Sequence, residues 1–477
     1  MSIGTGRGFT LDRFQLEAIG HLDAGRSVLV AAPTGSGKTV VAEHAIDRAL
    51  AAGRRAFYTA PIKALSNQKF GDLYRLLGDT RVGLLTGDNT INGDADVVVM
   101  TTEVLRNMLY ARRDLDRLDV VVLDEVHYLE DSYRGPVWEE VILQLPEPVK
   151  LVCLSATISN TAEVGGWLDS VRGGFEVVVE HRRPVELTNV FVVGDRRGDR
   201  VHVVPTLVDG RANPEAHRFE IERVPRRHDR RARSRPWRPP SHLELLDLLE
   251  ERCLLPAIWF IFSRRGCDDA AAALVRAGVK LTTAEDRHRI LAIAEDHLRP
   301  IDRADLAALD ITSWMQMLER GVAAHHAGLV PAFKETVEAC FAAGLVRVVF
   351  ATETLALGVN LPARSVVIDK LTKFTGESHE LLTPGQFTQL SGRAGRRGID
   401  QRGTAVVPWS PFTSFEQVAA LASSRSFELR SAFRPTYNMA ANLLGRLRPE
   451  EARELLARSF AQYQTDLEVA RIEQQLV

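Results

Sequence analysis

At 477 residues the chain exceeds what one ordinary core holds, and two or three domains are expected. Its 45% apolar and 26% charged residues are those of a globular protein, and a formal charge of −2 excludes a uniformly basic nucleic-acid coat. Cys153, Cys253, Cys267 and Cys340 form no CxxC pair, which predicts reduced thiols, no disulfides and a cytoplasmic setting. The apolar run over residues 254–262 is too short to span a bilayer, and the amino terminus lacks the apolar stretch of a signal peptide, so no membrane partner is expected.

From the start to residue 193, short β-rich runs alternate with helical periodicity. Residues 27–31, 55–59, 95–100, 120–123 and 149–154 read as buried parallel strands joined by right-handed βαβ crossovers. Residues 194–240 break the pattern. Their end, from Pro225 to Pro240, is basic and proline-punctuated, which suits a solvated linker or an auxiliary phosphate-binding arm. A second alternating block covers 241–409, with strands at 257–262, 321–325, 347–351, 365–368 and 403–407, and residues 410–477 read as mostly helical. The expected class is α/β, with two doubly wound parallel sheets in tandem whose ligands gather at the carboxyl ends of the strands.

Three stretches carry chemistry. In Ala32-Pro33-Thr34-Gly35-Ser36-Gly37-Lys38-Thr39, glycines let backbone amides approach phosphates at a helix amino terminus. Lys38 bridges those phosphates and Thr39 ligates Mg²⁺, as in a P-loop. Asp124-Glu125-Val126-His127 follows an apolar strand, so Asp124 suits the Mg²⁺ shell and Glu125 suits the water-activating base. His127 is expected to couple the nucleotide to Ser155-Ala156-Thr157. Upstream, Phe9 and Gln15 are placed to read the adenine.

Some 350 residues on comes Gln389-Leu390-Ser391-Gly392-Arg393-Ala394-Gly395-Arg396. Arg393 and Arg396 stand at i and i+3, which on a helix puts both guanidiniums on one face, offered across a cleft to the γ-phosphate. Gln389 is counted with these catalytic residues, and Gly358 with the nucleotide-binding ones. Pro61, Lys63, Thr86, Gly87, Thr101, Thr102 and Arg106 end strands of the first block; Ser263, His326, Gly328, Thr352 and Thr354 end strands of the second. Hydroxyls, amides and cations so placed suit a sugar-phosphate backbone and read no sequence. Together these motifs are those of an ATP- and Mg²⁺-dependent motor on single-stranded nucleic acid. A nucleotide-gated clamp without catalysis is the competing class, and intact Lys38, Asp124, Glu125 and Arg396 argue against it.

The motifs resemble those of superfamily 2 helicases over nearly the whole chain, and within them the superkiller-type DExH RNA helicases with their bacterial HelY-type relatives. Ser391-Gly392-Arg393-Ala394-Gly395-Arg396-Arg397-Gly398-Ile399-Asp400, Phe433-Arg434-Pro435-Thr436-Tyr437-Asn438-Met439 and Arg183-Pro184-Val185 carry the likeness; repair-type DNA helicases, the alternative, tend to have proline where Arg397 stands. The resemblance implies two RecA-like domains, 3′-to-5′ movement, RNA preferred over DNA, an RNA-decay nuclease as partner, and a winged-helix segment followed by a helical bundle past Val477. The Arg-rich stretch departs from the family pattern.

Overall fold

Strand register decides where every loop of this chain emerges. The computed structural model describes residues 10–112, 115–196, 200–219, 236–358, 361–374, 378–424 and 426–476. They form two compact units, one reaching to Arg182 and resuming at Ser426, the other lying between Arg183 and Arg425. Phe9 and most of the Arg-rich stretch (residues 225–235) lie outside the described residues.

The first unit contains β1 (Ser27–Ala31), β2 (Arg55–Ala60), β3 (Val82–Leu85), β4 (Thr90–Ile91), β5 (Val97–Thr101), β6 (Leu118–Leu123), β7 (Lys150–Ser155) and β8 (Phe175–Val179). They order as β4-β3-β5-β2-β6-β7-β1-β8, parallel except for β4. Between them run α1 (Arg13–Asp23), α2 (Thr39–Ala51), α3 (Lys63–Leu77), α4 (Thr102–Ala111), α5 (Gly135–Gln144) and α6 (Thr161–Arg172). Central strands such as β1, β2 and β5 are buried along their whole length, which is why apolar residues stand at consecutive positions in them rather than alternating ones. Ala31 pairs with Ser155, Leu123 with both Thr59 and Cys153, and Ala60 with Thr101, so these strands end level with one another.

The second unit opens with β9 (Glu186–Asp195), β10 (Val201–Pro205), the β11 (Leu207–Val208) and β12 (Arg211–Ala212) hairpin, and β13 (Trp237–Arg238). It continues through β14 (Ala257–Phe260), β15 (Val322–His325), β16 (Val348–Ala351), β17 (Ser365–Ile368), the β18 (Thr372–Phe374) and β19 (His379–Leu381) hairpin, and β20 (Arg402–Pro408). Its main sheet orders as β10-β9-β20-β17-β14-β16-β15, with β13 on β9. Along β14, Ala257 and Trp259 enter one core while Ile258 and Phe260 enter another, the two-residue period of a sheet covered on both faces. The helices are α7 (His242–Glu251), α8 (Arg264–Arg276), α9 (Ala284–Leu298), α10 (Arg303–Ala308), α11 (Ile311–Glu319), α12 (Pro331–Ala342), α13 (Glu353–Gly358), α14 (Pro384–Ser391) and α15 (Phe415–Ser423).

Several expectations are corrected. The break expected after residue 193 falls inside β9, which pairs in parallel with β20 from Glu186 to Val192 and so belongs wholly to the second unit. Residues 200–219 and 236–240, expected within a linker, supply β10, β13 and the fully buried Phe219 to that unit's sheet and core. The stretch 410–477 is also divided. α15 packs with the second unit, whereas α16 (Tyr437–Leu444), α17 (Pro449–Leu456) and α18 (Phe460–Leu476) belong to the first. They are held there by a Trp167 indole N–H to the Arg458 carbonyl (2.9 Å) and by the buried Glu139 carboxylate, which accepts from Phe460 N–H (2.7 Å) and the Ser431 hydroxyl. No strand follows β20 among the described residues, so a winged-helix pattern is not seen there.

Candidate nucleotide and nucleic-acid site

The loop after β1 turns through Gly35 (φ 79°) and Gly37 (φ 86°), left-handed positions that glycine adopts without strain. It delivers Lys38 to the start of α2, where the ammonium donates to the Ala32 (2.6 Å) and Pro33 (3.2 Å) carbonyls. Gln15 is only 1% exposed. Its amide donates to the Gly37 carbonyl (2.9 Å) while its oxygen accepts from Asp12 N–H (2.8 Å), so it ties α1 to the loop.

Asp124 follows β6, two strands from β1. Its carboxylate accepts from the Tyr58 hydroxyl at 2.5 Å and from Glu125 N–H at 3.0 Å. Burial, then the Glu125 charge, raises its pKa above the usual carboxylate range, while Lys69 and Lys38 pull it back. Burial and the Asp124 charge hold the Tyr58 phenol protonated, so it acts as a donor. Glu125 sits at φ 60°, ψ 47°, a conformation a side chain adopts only at some cost, at the head of a short 3₁₀ turn over Val126–Glu130.

His127 is buried, and that burial, then the Lys38 charge, pushes its pKa down to about 4. It is therefore neutral at pH 7, and its Nδ1 accepts from Ala156 N–H at 3.4 Å. The Glu125 oxygen 3.4 Å from the same Nδ1 is then a neighbour and not an ion pair. That bond is the contact His127 makes with the Ser155-Ala156-Thr157 segment to which it is expected to couple. Ala32 N–H in turn donates to the Ser155 carbonyl at 3.2 Å. The edge of the His127 ring also meets Phe427 (centroids 6.0 Å apart), from the segment that returns to this unit.

The other half of the same edge carries the expected strand contacts. β3, β5 and β2 are neighbours, and they end at Thr86-Gly87, Thr101-Thr102 and Pro61-Lys63. Lys63 pairs with Asp88 at 3.0 Å beside Gly87, and Thr86 donates to Asp88 at 3.0 Å. Arg106 stands on α4 and faces the Tyr110 ring at 5.7 Å. The buried hydroxyls of Ser155 and Thr102, one in each half, have no hydrogen-bond partner among the described residues. Each costs about 1–3 kcal/mol unless a ligand satisfies it.

In the second unit Ser263, Thr352, Thr354, His326 and Gly328 follow β14, β16 and β15, which are adjacent. Ser263 caps α8 by accepting from Gly266 N–H, and the Thr352 and Thr354 hydroxyls bond each other at 2.8 Å. His326 is buried with both ring nitrogens engaged, one with Asp268 (3.0 Å) and one accepting from Gly328 N–H (3.1 Å). It shapes its loop rather than presenting a free imidazole.

The arginines depart from expectation. α14, which holds the half-buried Gln389, ends at Ser391, so Arg393 and Arg396 are not on a helical face. Helix is stopped because Gly395 turns to φ 92°, where an added Cβ would lie 2.6 Å from Val185, and because Ala394 bridges to Ala363. The loop lies at the amino ends of β17 and β20, not at the carboxyl ends. Arg183 braces it by donating to the Ala394 carbonyl (2.9 Å). Arg393 donates to the Ala356 carbonyl on α13, the helix that Gly358 closes, and Arg396 grips Asp400 with two bonds of 2.7 and 2.8 Å.

These residues fit the ligands the sequence implies. A left-handed glycine turn, a lysine and a helix start suit phosphates. Thr39 and Asp124 offer oxygen ligands only, the donor set of Mg²⁺ completed by phosphate and water. Sequence reasoning missed Tyr58, Lys69 and Asp400. Only Asp400 left a signal, an acid four residues beyond Arg396.

Comparison with known proteins agrees. Residues 12–164 match the DEAD/DEAH box helicase family and residues 280–398 the helicase conserved C-terminal domain. The probable helicase HelY of Mycobacterium tuberculosis is 53% identical over 97% of this chain and 52% of its own length. Human superkiller complex protein 2 is 38% identical over 95% of this chain and 37% of its own, and human exosome RNA helicase MTR4 is 38% identical over 96% and 44%. The chain thus spans about half the length of HelY, and less of the other two. It belongs to the DEAD/DEAH-box helicases, as a homologue of HelY and of the superkiller-type helicases.

Proposed function

We propose that the chain is an ATP- and Mg²⁺-dependent RNA helicase that moves 3′-to-5′ on single-stranded RNA and opens duplexes, working in the cytoplasm beside an RNA-decay nuclease. The observation that supports this reading is the division of one sheet edge: β6, β7 and β1 end in groups suited to a nucleotide, and β3, β5 and β2 end in groups suited to a sugar-phosphate backbone. Bound ATP with Mg²⁺ would supply the phosphoryl group and the Lewis acid. Lys38 and the amides of residues 34–37 would hold phosphate, Thr39 and Asp124 would hold the metal, and Glu125 would accept a proton from the attacking water. Arg393 and Arg396 would stabilise charge on the phosphoryl oxygens, Gln389 and Gly358 are assigned to the same catalytic and nucleotide-binding set, and Gln15 would hold the base. His127, Ser155 and Thr157 link that chemistry to the strand-facing half. The backbone contacts named above give affinity without sequence, and contact with the 2′-hydroxyl gives RNA its preference. The printed names of two relatives, an exosome RNA helicase and a superkiller complex protein, favour RNA.

The test is the steady-state ATPase rate without polymer, with single-stranded RNA and with single-stranded DNA at one salt concentration. Marked stimulation by RNA over DNA is expected. Equal or greater stimulation by DNA overturns the RNA assignment in favour of a repair-type DNA motor.

A further inference from the structure

Lys69 lies six residues into α3, outside the P-loop and the acidic box, yet its ammonium is 3.4 Å from the Thr39 hydroxyl. It also stands 5.9 Å from the centroid of the Tyr58 ring, whose hydroxyl donates to Asp124. Thr39 and Asp124 are the two side chains assigned above to Mg²⁺. Lys38, the cation the sequence places there, donates to the Ala32 and Pro33 carbonyls.

A buried carboxylate beside a second carboxylate needs a compensating charge. We infer that Lys69 is the resident counter-cation of the prospective Mg²⁺ position, a positioning residue that balances Asp124 and Glu125 before the metal arrives and yields the Thr39 hydroxyl to it. Monovalent and flexible on a four-carbon stem, an ammonium is displaced by a divalent ion competing for the same oxygens. α3 begins with Lys63 among the expected strand contacts, so the helix that carries the counter-cation also carries a group expected to touch nucleic acid. The inference rests on the assignment of Thr39 and Asp124 to Mg²⁺.

The experiment measures the affinity of a fluorescent, non-hydrolysable ATP analogue in EDTA and in saturating Mg²⁺, for wild type, Lys69→Met, Lys69→Arg and Asp124→Asn. Lys69→Met should weaken metal-free binding about tenfold and leave Mg²⁺-supported binding within about twofold, so that the enhancement by Mg²⁺ grows. Lys69→Arg keeps the charge and should restore most of the metal-free affinity. Equal loss in both conditions makes Lys69 an ordinary phosphate or packing residue and overturns the inference, as does no change in EDTA. If Asp124→Asn leaves the Mg²⁺ enhancement at its wild-type value, the metal assignment itself has failed, a result separate from any effect at Lys69. Melting temperatures in EDTA identify any variant that fails to fold.

Discussion

In the first unit the nucleotide-type and strand-type loops leave one edge of one sheet side by side, whereas in the second the expected strand contacts and the arginine loop lie at opposite ends of the strands. Each arrangement needs its own connector. α3 joins the two halves of the first edge, with Lys63 near Gly87 and Lys69 on Thr39, roughly 9 Å apart along the helix. α13 joins the two ends of the second sheet, beginning beside Thr352 and accepting from Arg393 at Ala356. One helix thus links the two halves of the first edge laterally, and another links the two ends of the second sheet lengthwise.

The sharpest way to break this comparison is at Arg396. Arg396→Ala should lower kcat by about 10³-fold while leaving RNA affinity in an anisotropy titration near wild type. A loss confined to RNA affinity would move the arginine loop to the strand-binding side. Glu125→Gln should reduce single-turnover hydrolysis by about 10²-fold and spare nucleotide binding, since only the proton acceptor is removed. Unchanged turnover would leave the first unit without its catalytic half.

Gly395→Ala places a side chain at φ 92° against Val185, and should destabilise the second unit by about 2 kcal/mol. Calorimetry should show one transition lowered, and a fall in both would mean that the loop's strain is not local. The smallest effect concerns His127. Its folded pKa of about 4 is below the ordinary 6.5, so the unfolded chain takes up a proton that the folded one refuses. The stability from this group is complete above about 6.5 and is lost as pH falls towards 4. His127→Gln should flatten that limb of a melting-temperature profile; an identical limb would show that other groups set it.

Much of this was legible in the chain. Central parallel strands place apolar residues at consecutive positions, and β1 and β17 match their expected bounds, bracketed by Arg26 and Pro33 and by Arg364 and Asp369. The P-loop and acidic box could be placed because each follows such a run. β9 could not be assigned to its sheet, since nothing local distinguishes a strand that closes one unit from one that opens the next; only pairing with β20 decides. The arginine pair looked helical because i, i+3 spacing does not reveal that Gly395 takes positive φ. Tyr58 reads as one more apolar strand residue, and its bond to Asp124 exists only through the β2–β6 register.

The division of the first unit's edge is most directly tested by hydrogen–deuterium exchange on the full chain, with single-stranded RNA alone and with a Mg²⁺–nucleotide analogue alone. RNA should protect residues 59–65, 85–88 and 100–106, and the nucleotide should protect 32–39, 124–127 and 155–157. If either ligand protects both sets equally, or RNA protects the nucleotide set first, the two halves do not do separate work.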